Sequence, residues 1–157
     1  MLAVSRASLA RIYAVLALVW FCVLLQRYIV GSILGASALA EDLGVTAAGA
    51  GLLVAAYFPA YGLMQIPAGI VADLSSPRRN LILASLGVIV SSAAFGSAPN
   101  FLVALLARVG TGLSSGFILL SIVKLCSNWV PGRGFGSAMG LIESLGAAGA
   151  ILSFVVA

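Results

Sequence analysis

The sequence predicts an all-α membrane protein, a polytopic bundle of about five transmembrane helices. Of its 157 residues, 62% are apolar and 8% are charged, and the mean hydropathy is +1.21. Soluble domains average about 45–50% apolar and 25% charged residues, so these few charges cannot cover a water-exposed surface. The segments Leu43–Ala72 and Asn80–Ala107 contain no Asp, Glu, Lys or Arg. Each is longer than the about 20 residues that a spanning helix needs.

The composition also excludes several classes of function. There is no histidine, which excludes His-dependent triads and His-ligated zinc. Cys22 and Cys126 lie far apart in apolar surroundings, so we expect inert thiols. The acids occur singly and the basic residues form no stripe for nucleic acid. We therefore expect no enzyme activity, no cofactor, no metal ion and no nucleic-acid partner.

The first predicted span covers about residues 12–38 and contains Arg27. This internal arginine, and the distance from Arg11 to the Ala38-Leu39-Ala40 sequence, argue against a cleaved signal peptide. A polar loop follows, formed by Glu41, Asp42 and Gly44. Thr46 is a suitable helix N-cap, so the second span covers about residues 47–72. It contains two prolines, which membrane helices tolerate.

Three segments predicted to be loops separate the remaining spans. Ser75 to Arg79 is the clearest loop, and the third span then covers about residues 81–98. Pro99-Asn100 turns the chain into a fourth span of about residues 101–123. The segment Lys124–Arg133 predicts an interfacial loop, with Trp129 as its aromatic anchor. The fifth span covers about residues 134–157.

The basic residues predict that the N-terminus is cytoplasmic. They occur at the N-terminus and in the second and fourth loops, namely Arg6, Arg11, Arg78, Arg79, Lys124 and Arg133. The first and third loops contain none. Because Lys and Arg accumulate in cytoplasmic loops, this distribution places the protein as a multi-pass protein of the cell (inner or plasma) membrane, in contact with the lipid bilayer.

The segment Tyr57–Asp73 followed by Pro77-Arg78-Arg79 resembles the second helix and following loop of the major facilitator superfamily (MFS). Gly69, Asp73 and Arg78 match that loop pattern, whereas Leu74 and Ser76 depart from it. The proline version of this loop is common in the organic-anion and sugar-acid branches of the family.

Two further segments support the resemblance. Arg108-Val109-Gly110-Thr111-Gly112 is similar to the fourth-helix motif of the family. The segment Trp129–Gly134 with Ser137–Gly140 is similar to its fourth loop and fifth helix. The Gly-Pro step of the antiporter motif is absent.

The resemblance implies a secondary transporter that moves a small solute by alternating access. The family has twelve helices in two halves, so residues 1–157 are expected to be an incomplete N-terminal half, lacking the C-terminal half. Two alternatives remain open: a drug or metabolite efflux antiporter of the same fold, and a non-transporting truncated membrane protein.

Two intramembrane arginines predict an anionic substrate. Counted along their spans, Arg27 and Arg108 lie at similar depth in the outer half of the membrane. An arginine there costs about 2.5–3.5 kcal/mol on insertion scales, and its guanidinium suits carboxylates. The alternatives are snorkelling for Arg27 and a hydrogen-bond hub between helices for Arg108.

Polar residues on two other helices complete the predicted site. The second span carries Tyr57, Tyr61 and Gln65 on one face at i, i+4 and i+8, as substrate contacts or as packing residues. Glu143 in the fifth span is a candidate proton carrier, with a salt bridge to an arginine as the alternative.

The resemblance implies that the loop motif acts as a gate. It consists of Gly69, Asp73, Arg78 and Arg79. Asp73 lies at a helix C-terminus, where a carboxylate opposes the macrodipole and needs a cation. Arg78 and Arg79 are its expected local partners, and the alternative is an ordinary interfacial acid. Four-residue glycine spacings are expected to permit close helix packing; they occur at Gly31/Gly35, Gly112/Gly116 and Gly136/Gly140.

Overall fold

The protein is helical throughout the part that the structure, a computed structural model, describes: residues 6–36, 43–129, 132 and 134–156. The helices are α1 (Arg6–Ala36), α2 (Ala47–Ala55), α3 (Tyr57–Leu74), α4 (Pro77–Gly96), α5 (Phe101–Trp129) and α6 (Gly134–Val156). Since α2 and α3 together make the second span, these residues contain five segments long and apolar enough to cross a membrane. The predicted all-α membrane fold is confirmed.

Some predictions fall outside the described residues. They concern the end of the first span at residues 37–38, the loop residues Glu41 and Asp42, the loop residues Pro131 and Arg133, and Ala157 at the end of the fifth span. Of residues 6–8, 35 and 36 the structure describes only the backbone.

Two helix ends differ from the prediction. Pro77 occupies the first turn of α4, where its fixed φ suits a helix and its missing N–H is not needed. Arg78 and Arg79 are therefore helical and not part of a loop. Similarly α5 continues to Trp129, so Lys124 is helical as well. A helix can extend beyond the hydrocarbon core into the polar interfacial zone. Polar residues at its end can therefore be helical and still lie outside the core.

The second span is interrupted at Ala56, between α2 and α3. Pro59 has no N–H for the carbonyl of Ala55, and its ring crowds that carbonyl. At the start of α2, the Thr46 hydroxyl accepts a bond of 3.3 Å from the Gly49 amide, which confirms the predicted N-cap. The interruption lies beside the side chains that form the candidate site.

Helix α5 is the centre of the bundle. It packs along α3 and α4, while α1 packs along α6. A Cβ at Gly112 would lie 2.4 Å from the Tyr57 carbonyl oxygen, and one at Gly149 would lie 2.4 Å from the Phe21 carbonyl oxygen. These two helix pairs are thus in backbone contact.

The predicted glycine pairs are only partly correct. Gly112 and Gly116 both lie against α3, as expected. A Cβ at Gly31 would only reach ordinary contact with Val54 at 3.9 Å, and one at Gly136 or Gly140 would meet nothing within 4 Å. Spacing alone does not identify which glycines face a neighbouring helix, because it leaves the rotation of the helix undetermined.

Candidate functional site

The guanidinium of Arg27 lies among four aromatic rings. Its central carbon is 4.6 Å from the ring centroid of Phe58, 5.0 Å from Tyr57, 5.3 Å from Tyr61 and 5.4 Å from Tyr28. A cation over an aromatic face within about 6 Å is attracted by the ring quadrupole. The half-buried side chain is thus held inside the bundle, and its buried Nε has no hydrogen-bond partner among the described residues.

Arg108 is more buried than Arg27, and its side chain is fully enclosed by the bundle. Its Nε donates a bond of 3.1 Å to the carbonyl oxygen of Leu53, so it joins α5 to α2, as expected of a hub between helices. Its two terminal nitrogens are buried without a hydrogen-bond partner in the described part of the chain. The ring of Phe95 lies 5.9 Å from its central carbon.

The ring of Tyr57 contacts both arginines. Its ring centroid is 5.0 Å from the central carbon of Arg27 and 5.2 Å from that of Arg108, which limits their separation to about 10 Å. Tyr57 is fully buried and stacks on Tyr61 at 5.8 Å, with an angle of 14° between the rings. Its hydroxyl lies near Ser115 without a hydrogen bond of normal geometry. The structure thus brings together the predicted residues of three different spans.

Neither arginine forms an ion pair with an acidic side chain among the residues that the structure describes. Within the described ranges the ion pairs comprise one contact, between Lys124 and Asp73. Arg27 and Arg108 are therefore compensated by aromatic faces and one carbonyl. Burying an unpaired charge has an unfavourable desolvation free energy, which a bound counterion partly offsets. The arrangement can accept an anion.

Glu143 is fixed by an indole and not by an arginine. The Nε1 of Trp20 donates a bond of 3.0 Å to its Oε2. Gly146 makes room for this indole, because a Cβ there would lie 2.4 Å from Trp20 Cδ1. Among the described side chains Glu143 forms no salt bridge to an arginine, which was the predicted alternative. Tyr61 lies within electrostatic range of both Glu143 and Arg27, so the carboxylate borders the same region as the arginine.

Asp73 pairs with a residue that the sequence did not indicate. Its Oδ1 accepts a bond of 2.5 Å from Lys124 Nζ, so the expected pairing with Arg78 or Arg79 is wrong. The cause is the extension of α5, which carries Lys124 alongside the end of α3. Arg78 and Arg79 are exposed.

The other two predicted residues of α3 lie along the same helix. Gln65 is half-buried near the hydroxyl of Tyr61. A Cβ at Gly69 would lie 4.0 Å from Leu120 on α5, which places it at the packing face between the two helices.

Sequence reasoning missed several contributors to the site. They are Trp20, Tyr28, Leu53, Phe58, Phe95 and Lys124. Tyr28 and Phe58 adjoin predicted residues along the chain, which was an available signal. No sequence signal connects Trp20 with Glu143, because the two are 123 residues apart.

The sequence has relatives among known proteins. Residues 16–157 match the Major Facilitator Superfamily. The chain belongs to the Major Facilitator Superfamily. The match covers most of the chain, and it agrees with the five spans and with the loop and fourth-helix motifs. The resemblance found in the sequence is thereby confirmed, and the protein is a multi-pass integral membrane protein.

Three similar proteins carry acid or anion transporter names. "Probable anion transporter 7" of Oryza sativa subsp. japonica is 29% identical over 98% of this chain and 36% of its own length. "Probable sulfoacetate transporter SauU" of Cupriavidus necator is 28% identical, over 90% and 33%. "Probable L-galactonate transporter" of Escherichia coli (strain K12) is 29% identical, over 72% and 25%. No solved structure matches significantly.

These relatives bear on two of the predictions. Their names and the family agree with the expectation that the chain is not an enzyme and with an organic-anion branch of the MFS. The chain spans about a third of the length of the curated relatives that it matches.

Proposed function

We propose that this chain is the first part of a longer MFS secondary transporter, which moves a small organic anion by alternating access. The observation that carries the proposal is the pair of intramembrane guanidiniums that both contact the Tyr57 ring and form no ion pair among the described residues. MFS transporters bind their substrates near the membrane midplane, between helix repeats that rock around the site.

The two arginines have different roles in this proposal. Arg27 is half-buried and lies among aromatic rings, and in this proposal the hydrogen-bonding edge of its guanidinium binds a carboxylate or sulfonate. Bidentate bonds between such groups are strong and directional. Arg108 is fully buried and bonded to a carbonyl, so it positions α2 and Tyr57 and contributes positive potential. Tyr61 and Gln65 supply polar contacts beside the bound anion.

The cytoplasmic end of α3 provides the proposed gate. Asp73, paired with Lys124, couples the ends of α3 and α5. Rearrangement of this pair, with Arg78 and Arg79 beside it and Gly69 at the α3–α5 packing face, accompanies the switch between inward-open and outward-open states. Surface ion pairs contribute about 0–1 kcal/mol, which makes this contact easy to exchange.

Transport of an anion is tested on the complete gene product reconstituted in vesicles. A panel of small carboxylates and sulfonates is compared with the corresponding neutral amides in counterflow. We expect at least about a tenfold preference for the anion, because loss of a charge-assisted bond reduces binding by about 1.5–3 kcal/mol. Preferred efflux of neutral or cationic compounds would contradict the proposal and support the efflux alternative. The isolated chain is expected to show no counterflow.

We also propose that protons drive this transport through Glu143. Glu143→Gln removes the titratable group and keeps the size of the side chain and an acceptor for Trp20. Accumulation driven by a proton gradient should be lost, whereas counterflow at equal pH should persist. Ser144→Ala, on the neighbouring exposed residue, is the matched control and should retain both activities. Unchanged proton-driven accumulation in the Gln variant would exclude this role.

A further inference from the structure

A groove separates α3 from α4, and none of the arginine-site residues lines it. Both helices pack along α5 but they scarcely contact each other. The space between them has a volume of about 520 Å³. Its lining is mainly apolar, with the polar residues Asn80 and Ser114 and, at the end formed by the first turn of α4, Arg79. The apolar lining includes Met64, Val71, Leu83, Leu113 and Phe117.

The charged end of the groove is built on the first turn of α4. A smaller depression of about 310 Å³ adjoins it, shares Arg79 and Leu83 with it, and adds Ser76 and Arg78. The Ser76 side chain makes no capping bond, and the N-terminus of a helix favours an anionic acceptor. Two side-chain cations and a helix N-terminus therefore converge beside an apolar channel.

The carboxylate of Asp73 does not neutralise the positive charge of Arg78 and Arg79 at the end of the groove. Asp73 is paired with Lys124, and neither Arg78 nor Arg79 forms an ion pair in the part of the chain that the structure describes. The turn before α4 is also fixed, since Asn80 Nδ2 donates a bond of 2.7 Å to the Ser75 hydroxyl. The distribution of basic residues places this end at the cytoplasmic surface.

We propose that this groove binds an anionic glycerophospholipid of the cytoplasmic leaflet. The phosphate lies against Arg78, Arg79 and the first turn of α4, and one acyl chain lies between α3 and α4. An empty channel between helices would lose dispersion contacts. Since lipid tails are as apolar as leucine, the tail does not select among lipids. Selection comes from the headgroup charge, and basic pockets between helices on this side of a membrane suit anionic headgroups.

The proposal is tested by lipid titration of the purified chain in dodecyl maltoside, with bound lipids counted by native mass spectrometry. Phosphatidylglycerol should bind more tightly than phosphatidylcholine with the same acyl chains. Arg79→Gln should weaken phosphatidylglycerol binding about fivefold, which corresponds to about 1 kcal/mol for one basic residue. The R78Q/R79Q double variant should bind the two lipids equally. Arg11→Gln, a change of an exposed arginine on α1, is the matched control and should bind like the parent chain.

A competition experiment identifies the source of the phosphate. Glycerol 3-phosphate at millimolar concentration should leave phosphatidylglycerol bound, because the soluble compound lacks the acyl chain that occupies the groove. Displacement by glycerol 3-phosphate would instead reveal a site for soluble anions and overturn the proposal. Equal phosphatidylglycerol affinity in Arg79→Gln and the parent chain would overturn it too. Neither result depends on transport activity.

Discussion

Replacing Arg27 by Gln is expected to lower anion uptake by the complete transporter about 100-fold in kcat/KM. The change removes the half-buried cation whose edge is proposed to hold the substrate, and with it two charge-assisted hydrogen bonds. Together these bonds are worth about 3 kcal/mol. Arg108 cannot substitute, because it is fully buried and bonded to the Leu53 carbonyl. The measurement is initial uptake over a range of concentrations of the carboxylate that gives the strongest counterflow.

Two further variants separate recognition from folding. Arg27→Lys keeps the charge but loses the planar fork and its stacking on aromatic rings, so about a tenfold loss is expected. Arg11→Gln lies on the same helix at an exposed position and should transport normally. All variants should elute as the parent protein does on gel filtration. If Arg27→Gln took up the anion at the parental rate, the proposed anion site would be wrong.

Replacing Gly112 by Ala is expected to separate α5 from α3 and to destabilise the bundle. The new Cβ would lie 2.4 Å from the Tyr57 carbonyl oxygen and 2.9 Å from the Cβ of Ala60. Neither contact is with the flexible end of a side chain, so a helix must move. Such overpacking lowers the free energy of unfolding by about 1–3 kcal/mol. The loss should be visible as a lower Tm of the purified chain in detergent, followed by circular dichroism.

Gly140→Ala provides the matched control for this experiment. A Cβ at that position would meet nothing within 4 Å, and alanine favours a helix over glycine by about 1 kcal/mol. Its Tm should therefore equal or exceed that of the parent chain. Equal Tm values for the two alanine variants would show that the close α3–α5 contact does not stabilise the protein.

Composition and charge distribution were sufficient to predict the helical membrane fold. A single long apolar segment in lipid can satisfy all its backbone hydrogen bonds within itself only as a helix. The five spans therefore follow from the positions of a few polar residues. The spacing of Arg27 and Arg108 within their spans also indicated similar depth, because helical rise is constant. Their common contact with Tyr57 agrees with that estimate.

Partners across helices could not be predicted in the same way. The sequence indicated Arg78 or Arg79 as the partner of Asp73, since these are near along the chain, but a longer α5 brings Lys124 to it. Likewise, the bond from Trp20 to Glu143 depends on the rotation of α1 and α6 and on the space at Gly146. The rotation of a helix about its own axis cannot be predicted from hydropathy when most positions on all of its faces are apolar.

The amino-acid sequence by itself determined that this protein is a helical membrane protein, that it contains five apolar segments long enough to cross a membrane, and which residues carry unusual charge within those segments. Each of these depends on the free energy of transferring single residues from water to lipid, which is a local property. Only the tertiary structure decided that Arg27 lies among aromatic rings and forms no ion pair within the described part of the chain, and that Arg108 joins two helices. Those outcomes depend on how closely the helices approach, which Gly112 and Gly149 permit through backbone contact at specific points.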